Sequence, residues 1–176
     1  MEYFAIVNSC KILLSVLQYV KTEFIPKKEE NPMDYRKFGS TYVIRLDPGD
    51  EIIEKVLWLA AVEGIKLATV TGLGTVDNVT LGIYSPDTKQ FKANMFHADF
   101  EIVSLTGTIT TQRGRPHAHL HMAVCDLASR CFGGHLNRAV VSATAELVLQ
   151  TIPGEVDRKP DAKIGLNLMH FWPNEN

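Results

Sequence analysis

Three histidines at alternate positions, His117, His119 and His121, are the residues of this chain best placed to do chemistry. Side chains alternate between the two faces of an extended strand, so residues at i, i+2 and i+4 share one face. A fourth histidine, His135, follows in the segment Phe132-Gly-Gly-His. Neutral imidazole is a common ligand of Zn²⁺ and related divalent metals. The pattern therefore predicts a metal centre, and the alternative is a polar, solvated strand face.

The geometry of a strand limits which of these histidines can share one ion. His117 and His121 lie roughly 13 Å apart at the rise of an extended strand, so a straight strand does not bring all three together. We expect two adjacent strand histidines to meet His135, carried back by a turn at Gly133-Gly134, where glycine permits positive φ and close backbone approach. Three histidines leave one coordination position open, as in a hydrolytic centre, a sensor or a structural site.

The composition is that of an ordinary globular protein of one domain. Of the 176 residues, 45% are hydrophobic and 22% are charged, and the net charge of −2 gives no global field that attracts nucleic acid. The histidine region is different, because four arginines and one aspartate fall between Thr110 and Val140. A locally basic metal site favours an anionic ligand, although the arginines also fit a solvated rim. They are Arg113, Arg115, Arg130 and Arg138.

The cysteines and the N-terminal segment give indications of the cellular compartment of the protein. Three cysteines, Cys10, Cys125 and Cys131, without CxxC spacing argue against a disulfide framework and for a reducing, cytoplasmic compartment. We expect Cys125 to be a small buried residue. Residues 1–34 form an N-terminal extension, read as an amphipathic helix followed by a proline-bounded linker, and Met33 is an alternative start. Its apolar stretch is too short and too polar to predict a membrane span.

The remaining chain predicts an α+β domain over residues 35–171, followed by a tail at residues 172–176. One helix is expected from Glu51 to Glu63, ended by Gly64 in the left-handed conformation. Short strands surround it and suggest a curved, mostly antiparallel sheet packed around that helix. We interpret Thr71-Gly-Leu-Gly as a point of sheet curvature. Helix competes with strand from Ala143 to Leu149, where the residues are locally permissive.

Two further sets of residues are candidates for function. Arg113-Gly-Arg-Pro matches the core of the AT-hook, whose arginines enter the minor groove of A·T-rich DNA. Because it abuts a strand, we expect a loop, and we keep Arg113 and Arg115 as candidate residues for DNA or ligand binding. Glu101, on the strand preceding the histidines, is the candidate general acid or base if the site is catalytic. The alternative for Glu101 is a solvated edge or a structural hydrogen bond.

Several segments together carry a resemblance to a known family. In their order and spacing, the chain from about Tyr35 to Met169 resembles the plant and prokaryote conserved (PPC) domain, in its prokaryotic stand-alone form. The segments are Leu46-Asp-Pro-Gly-Asp-Glu, Gly72-Leu-Gly-Thr-Val, Gly82-Ile-Tyr, Phe100-Glu-Ile-Val-Ser-Leu-Thr-Gly-Thr-Ile, His119-Leu-His, Phe132-Gly-Gly-His-Leu and Ala143-Thr-Ala-Glu-Leu.

The resemblance implies an architecture and a metal set. It implies a homotrimer of α+β subunits, and it implies that His119, His121 and His135 correspond to the histidines of the prokaryotic pattern, with His117 as an addition. In plants such domains accompany separate AT-hooks in nuclear DNA-binding proteins, whereas no AT-hook precedes the domain here.

These observations lead to two hypotheses of different classes. The preferred one is a cytoplasmic, homotrimeric, metal-binding protein that binds zinc and acts as a DNA-binding or transcription-regulatory protein. The alternative is a metal-dependent enzyme or sensor that acts on a small anionic ligand, with Glu101 assisting. The sequence leaves open whether the protein is an enzyme.

Overall fold

One helix and eight strands make up residues 33–171, the part of the chain that the computed structural model describes. The predicted N-terminal helix and nearly all of its linker lie outside the described residues, as do the last five residues of the chain. The elements are β1 (Asp34–Phe38), β2 (Thr41–Leu46), α1 (Ile52–Val62), β3 (Ala68–Ser85), β4 (Gln90–Gln112), β5 (Arg115–Cys125), β6 (Cys131–Thr151), β7 (Asp157–Asp161) and β8 (Leu166–His170).

The strands form one sheet that closes on itself through its four longest members. β3 pairs with β4, β4 with β5, β5 with β6, and β6 again with β3, all antiparallel. The β1–β2 hairpin adds to the edge of β6, and β7 pairs with β4 in parallel at Thr111 and Asp157. The prediction of a curved, mostly antiparallel sheet with one helix is confirmed for the described residues.

Glycine-marked bulges allow the long strands to bend. The register between β3 and β4 shifts at Gly72/Gly74 and again at Val76/Asn78. A Cβ on Gly74 would lie 2.4 Å from the carbonyl oxygen of Thr144, so a side chain cannot be accommodated there. Bulges increase the local twist and bend of a strand. Sequence segments that looked like separate short strands are thus continuous, and the interpretation of Thr71-Gly-Leu-Gly as sheet curvature holds.

The helix α1 is fixed at its first turn by the buried carboxylate of Glu51. One Glu51 oxygen accepts a hydrogen bond from the Glu54 backbone N–H at 2.7 Å, and the other accepts from the Ala139 N–H of β6 at 2.9 Å. The carboxylate therefore caps the helix and ties it to the sheet. At the other end Gly64 has φ of +64°, as predicted.

The core lies between α1 and the inner face of the sheet. On β5, the even-numbered Leu120, Met122 and Val124 are buried in it, so the odd-numbered residues, including the histidines, occupy the opposite face. Leu59 and Val56 of α1 are also completely or almost completely buried in this core. The strand alternation expected from the sequence is what separates the histidines from the core.

The structure decides one alternative that the sequence left open, and it contains two strands that the sequence did not predict. Ala143 to Leu149 is strand, because β6 pairs with β2 and β3 on both sides there and this tertiary pairing overrides local helix propensity. The short strands β1 and β7 were not predicted. Both are polar, in Asp-Tyr-Arg-Lys-Phe and Asp-Arg-Lys-Pro-Asp, and each depends on a partner strand rather than on an apolar pattern of its own.

The expectation of no disulfide is wrong for one pair of cysteines. Cys125 and Cys131 form a disulfide between the ends of β5 and β6, where they are direct partners with Cα atoms 4.2 Å apart. The intervening turn is held by Asp126, whose carboxylate accepts hydrogen bonds from the N–H groups of Ala128 and Arg130. The argument for a reducing compartment loses its basis, and the cytoplasmic location stays a prediction.

Within residues 33–171, no helix has the length and apolar character needed to cross a bilayer.

The two hydrogen bonds accepted by Glu51, which we call the Glu51 bridge, lead to a prediction about stability. Replacing Glu51 with Ala removes the acceptor for two N–H groups, one of them buried, and should lower the free energy of unfolding by about 2 kcal/mol or more. Glu54→Ala is the matched control, since Glu54 is exposed in the same turn and should change stability by less than about 0.5 kcal/mol. Urea unfolding followed by circular dichroism measures both, and equal effects would contradict the bridge.

Candidate metal centre

The three histidines implied by the resemblance meet on the outer face of two neighbouring strands. His119 and His121 alternate along β5, and His135 of β6 is the direct register partner of His121. The turn predicted at Gly133-Gly134 does not exist, because both glycines lie inside the continuous strand β6. His135 is brought back instead by the turn at Asp126 to Arg130, whose length sets the register of the hairpin.

The imidazoles form a nearly equilateral triangle. The ring centroids lie 5.3 Å apart for His119 and His121, 5.1 Å for His119 and His135, and 5.5 Å for His121 and His135. One nitrogen from each ring lies within 4.8 Å of the other two. A tetrahedral ion bound at about 2.1 Å needs nitrogens about 3.4 Å apart, a difference that side-chain rotation can close. The donor set therefore fits a divalent metal with an open position.

The other predicted site residues lie outside this triangle. His117 is on the same face of β5, opposite Thr110, but it is not part of the group of converging nitrogens. Glu101 pairs with Cys125, which lies four residues from His121 along β5. Glu101 is therefore displaced from His121 by about 13 Å along the strand direction. It borders a separate surface cavity of about 320 Å³ together with Asp99 and Asp126. The structure does not bring Glu101 to the histidines.

Arg113 and Arg115 occupy the β4–β5 hairpin at the far end of the histidine strand. Arg113 and Gly114 form its tip with φ of 54° and 75°, and Arg115 pairs with Gln112. Both arginines are exposed. The predicted loop is confirmed, and its tight turn differs from the extended peptide that an AT-hook presents to the minor groove.

A buried arginine that the sequence did not single out lies beside the triangle. Arg158 of β7 places its Nη2 3.4 Å from Nδ1 of His119, and its Nε donates to the Thr110 hydroxyl at 2.8 Å. Its Nη1 donates to the Asn167 carbonyl at 3.1 Å. The β7–β8 hairpin thus folds over one end of the histidine face. No local motif reveals this, because Arg158 reaches the site through a pairing 46 residues away, Thr111 with Asp157.

The electrostatic surroundings favour neutral imidazoles. Burial, followed by the positive charge of Arg158, lowers the pKa of His119 to about 4. Burial and then Arg158 also lower the pKa of His117, whereas burial and then His121 lower that of His135. A metal binds the neutral form of histidine. Two of the three candidate ligands are therefore held in the form that binds metal.

The ring of His135 packs against the side chain of Phe91. The Phe91 ring packs edge-on against it, with centroids 5.8 Å apart. Phe91 also lies over Gly82, where a Cβ would come within 1.9 Å of the phenyl ring, and a Cβ on Gly134 would lie 2.7 Å from the Gly82 carbonyl oxygen. Close backbone approach, as predicted, is thus found at Gly134, whereas a Cβ on Gly133 would make only an ordinary contact at 3.4 Å, and neither glycine makes a turn.

With this geometry established, comparison with known proteins identifies the family. The model of the Plants and Prokaryotes Conserved (PCC) domain matches residues 33–153. The chain therefore belongs to this family, as the sequence resemblance indicated.

Proteins similar to this chain have been described in bacteria, archaea and plants. A candidate DNA-binding protein from Bacteroides thetaiotaomicron has 27% sequence identity and a TM-score of 0.78, covering 80% of this chain and 99% of that one. A metal-containing protein from Archaeoglobus fulgidus has 25% identity and a TM-score of 0.71, covering 80% and 99%. The AT-hook motif nuclear-localized protein 14 of Arabidopsis thaliana is 24% identical over 123 residues, which are 69% of this chain. The chain spans only 20% and 29% of the length of the curated relatives it matches.

The lowered pKa of His119 predicts how the metal-free protein responds to acid. The imidazole titrates at about 4 in the fold and at 6.5 in the unfolded chain, so the unfolded state binds more protons between these values. Stability is then lost as the pH falls through this range, and His119→Gln should lose less between about pH 7 and about pH 5. Urea midpoints in the presence of a chelator measure it.

The exposed His97 supplies the matched control for this experiment. His97→Gln should follow the unsubstituted protein across the same pH range. An equal loss of stability in the His119→Gln protein and the unsubstituted protein would show that His119 is not held neutral by the fold.

Proposed function

We propose that this protein binds a divalent metal ion through His119, His121 and His135. The observation that carries the proposal is the convergence of three imidazole nitrogens to within 4.8 Å of one another on adjacent strands. A related protein from Archaeoglobus fulgidus, similar along 80% of this chain, is described as metal-containing and adds support. The lowered pKa values of His119 and His135 reduce the competition between protons and the metal at these two ligands.

Zinc is the metal we propose for this centre. Imidazole ligands suit zinc, copper, iron and nickel, and three imidazoles with one open position are a common arrangement for zinc. When bound, the ion would supply a Lewis-acidic position open to a ligand from solvent. Glu101 lies too far from the histidines to transfer a proton there directly, so the centre is better suited to binding than to catalysis that uses Glu101.

A homotrimer is the second part of the proposal. The family resemblance motivates it, and large apolar side chains exposed on the adjacent strands β3, β4 and β6 support it. Leu73 is 58% exposed, Val103 57% and Val148 42%. Exposed apolar side chains that are grouped on neighbouring strands, unlike scattered single ones, are typical of a surface that another chain covers.

Native mass spectrometry of tag-free protein tests the metal and the assembly together. The expected species contains three chains of 19.6 kDa and one zinc ion per chain. His121→Ala should lose the metal, because two remaining imidazoles bind zinc far more weakly. His117→Ala, from the same face of the same strand, should keep it. Metal-free protein would contradict the centre, whereas a zinc-loaded monomer would contradict only the trimer.

DNA binding, with a regulatory role in transcription, is the second proposed function. The support comes from relatives, since the similar Bacteroides protein is described as a candidate for DNA binding. In this chain the exposed Arg113 and Arg115 at the tip of the β4–β5 hairpin are the side chains that we propose contact the phosphate backbone. Contacts of this kind position a protein on DNA without reading its sequence.

A salt titration distinguishes such contacts from incidental attraction. Affinity for an A·T-rich duplex, measured by fluorescence anisotropy, should fall steeply with salt, and the double variant Arg113→Gln, Arg115→Gln should reduce the slope by about two. Arg45→Gln is the control, since Arg45 is exposed but paired with Asp34 and Asp47. Failure of the unsubstituted protein to bind at low salt would overturn the DNA hypothesis.

A further inference from the structure

Arg158 is a buried cation without a counterion among the residues that the structure describes. It is only 7% exposed, and its three hydrogen-bond partners are the Thr110 hydroxyl, the Asn167 carbonyl and the Nδ1 atom of His119. None of the ion pairs found within residues 33–171 includes Arg158. Burying a guanidinium that has only neutral hydrogen-bond partners costs folding free energy. A functional role beside the histidines would explain why Arg158 is buried there.

The contact between Arg158 and His119 cannot persist when a metal is bound. Arginine only donates hydrogen bonds, so Nδ1 of His119 must supply a lone pair to Nη2. If the metal binds Nδ1, that lone pair is used. If the metal binds Nε2, the neutral imidazole carries its proton on Nδ1, where it meets another donor. In both cases metal binding leaves Nη2 of Arg158 without its acceptor.

The charges at the site also favour a bound anion. A divalent ion held by three neutral imidazoles keeps its double positive charge, and Arg158 adds a third charge next to one of the ligands. No carboxylate of the described chain pairs with Arg158, and the histidine group with converging nitrogens contains no acidic residue. An anion at the open metal position would neutralise part of this charge and would accept the hydrogen bond released by His119.

We propose that the metal centre and Arg158 together form a binding site for a small oxyanion, of the carboxylate or phosphate type, bridging the open metal position and Nη2. Guanidinium and a divalent metal each bind these groups, and charge-assisted hydrogen bonds to them are short and strong. Thr110 and Asn167 hold the other two nitrogens and so aim the guanidinium at the site. This proposal rests on the metal centre proposed above and names the class of ligand that the centre takes.

Cobalt-loaded protein provides the test, because the visible absorption of Co²⁺ responds to a change of ligand. After removal of excess metal, the protein is titrated separately with acetate and with inorganic phosphate, which distinguishes the two oxyanion types. We expect saturable spectral changes in the unsubstituted protein. Arg158→Gln should keep one cobalt per chain but bind the anion about 10-fold to 100-fold more weakly, the loss expected for one charge-assisted hydrogen bond. Arg45→Gln, a remote exposed arginine, should bind as the unsubstituted protein does.

Arg158→Lys guards against a folding defect in the glutamine variant. It keeps the charge and most of the stem, and should show a smaller loss of anion affinity than Arg158→Gln. Unchanged anion affinity in either correctly folded variant would overturn the role of Arg158. Cobalt binding without an anion response in the unsubstituted protein would overturn the anion site and leave the metal centre intact. Failure to bind cobalt would overturn the metal centre and, with it, this inference.

Discussion

The register between β5 and β6 is the constraint on which the candidate site depends. His121 and His135 are direct partners across these strands, and a shift of one residue would move either side chain to the opposite face. The register is fixed at the adjacent turn, where Asp126 accepts hydrogen bonds from Ala128 and Arg130 and a disulfide joins Cys125 to Cys131. Once it is set, His119 needs only the alternation of the strand to complete the triangle.

The same alternation places core residues on one face of β5 and the histidines on the other. Even-numbered residues of β5 pack against α1, and Glu51 ties the start of that helix to β6 through Ala139. Odd-numbered residues carry imidazoles on the outer face, where Arg158 covers one end of the cluster. The candidate site is therefore separated from the hydrophobic core by the strand that carries its histidines.

The parts of the site predictable from sequence were those governed by local rules. The spacing of His119 and His121 gave their common face, and the capping and apolar pattern gave the helix that runs from Ile52 to Val62. The meeting with His135 was expected, but for the wrong reason, since a turn between residues 126 and 130 produces it instead of the glycines. The Cys125–Cys131 disulfide and Arg158 were missed because each depends on register or on a distant pairing, which local sequence does not encode.

The position of Arg158 along the chain separates it from the three histidines beside which it lies. The family match ends at residue 153, whereas Arg158 belongs to the hairpin that follows it. The imidazoles and the guanidinium thus come from two stretches of sequence, one inside the family match and one beyond it. Exchange of the terminal hairpin would therefore remove the guanidinium while the three histidines kept their places on β5 and β6.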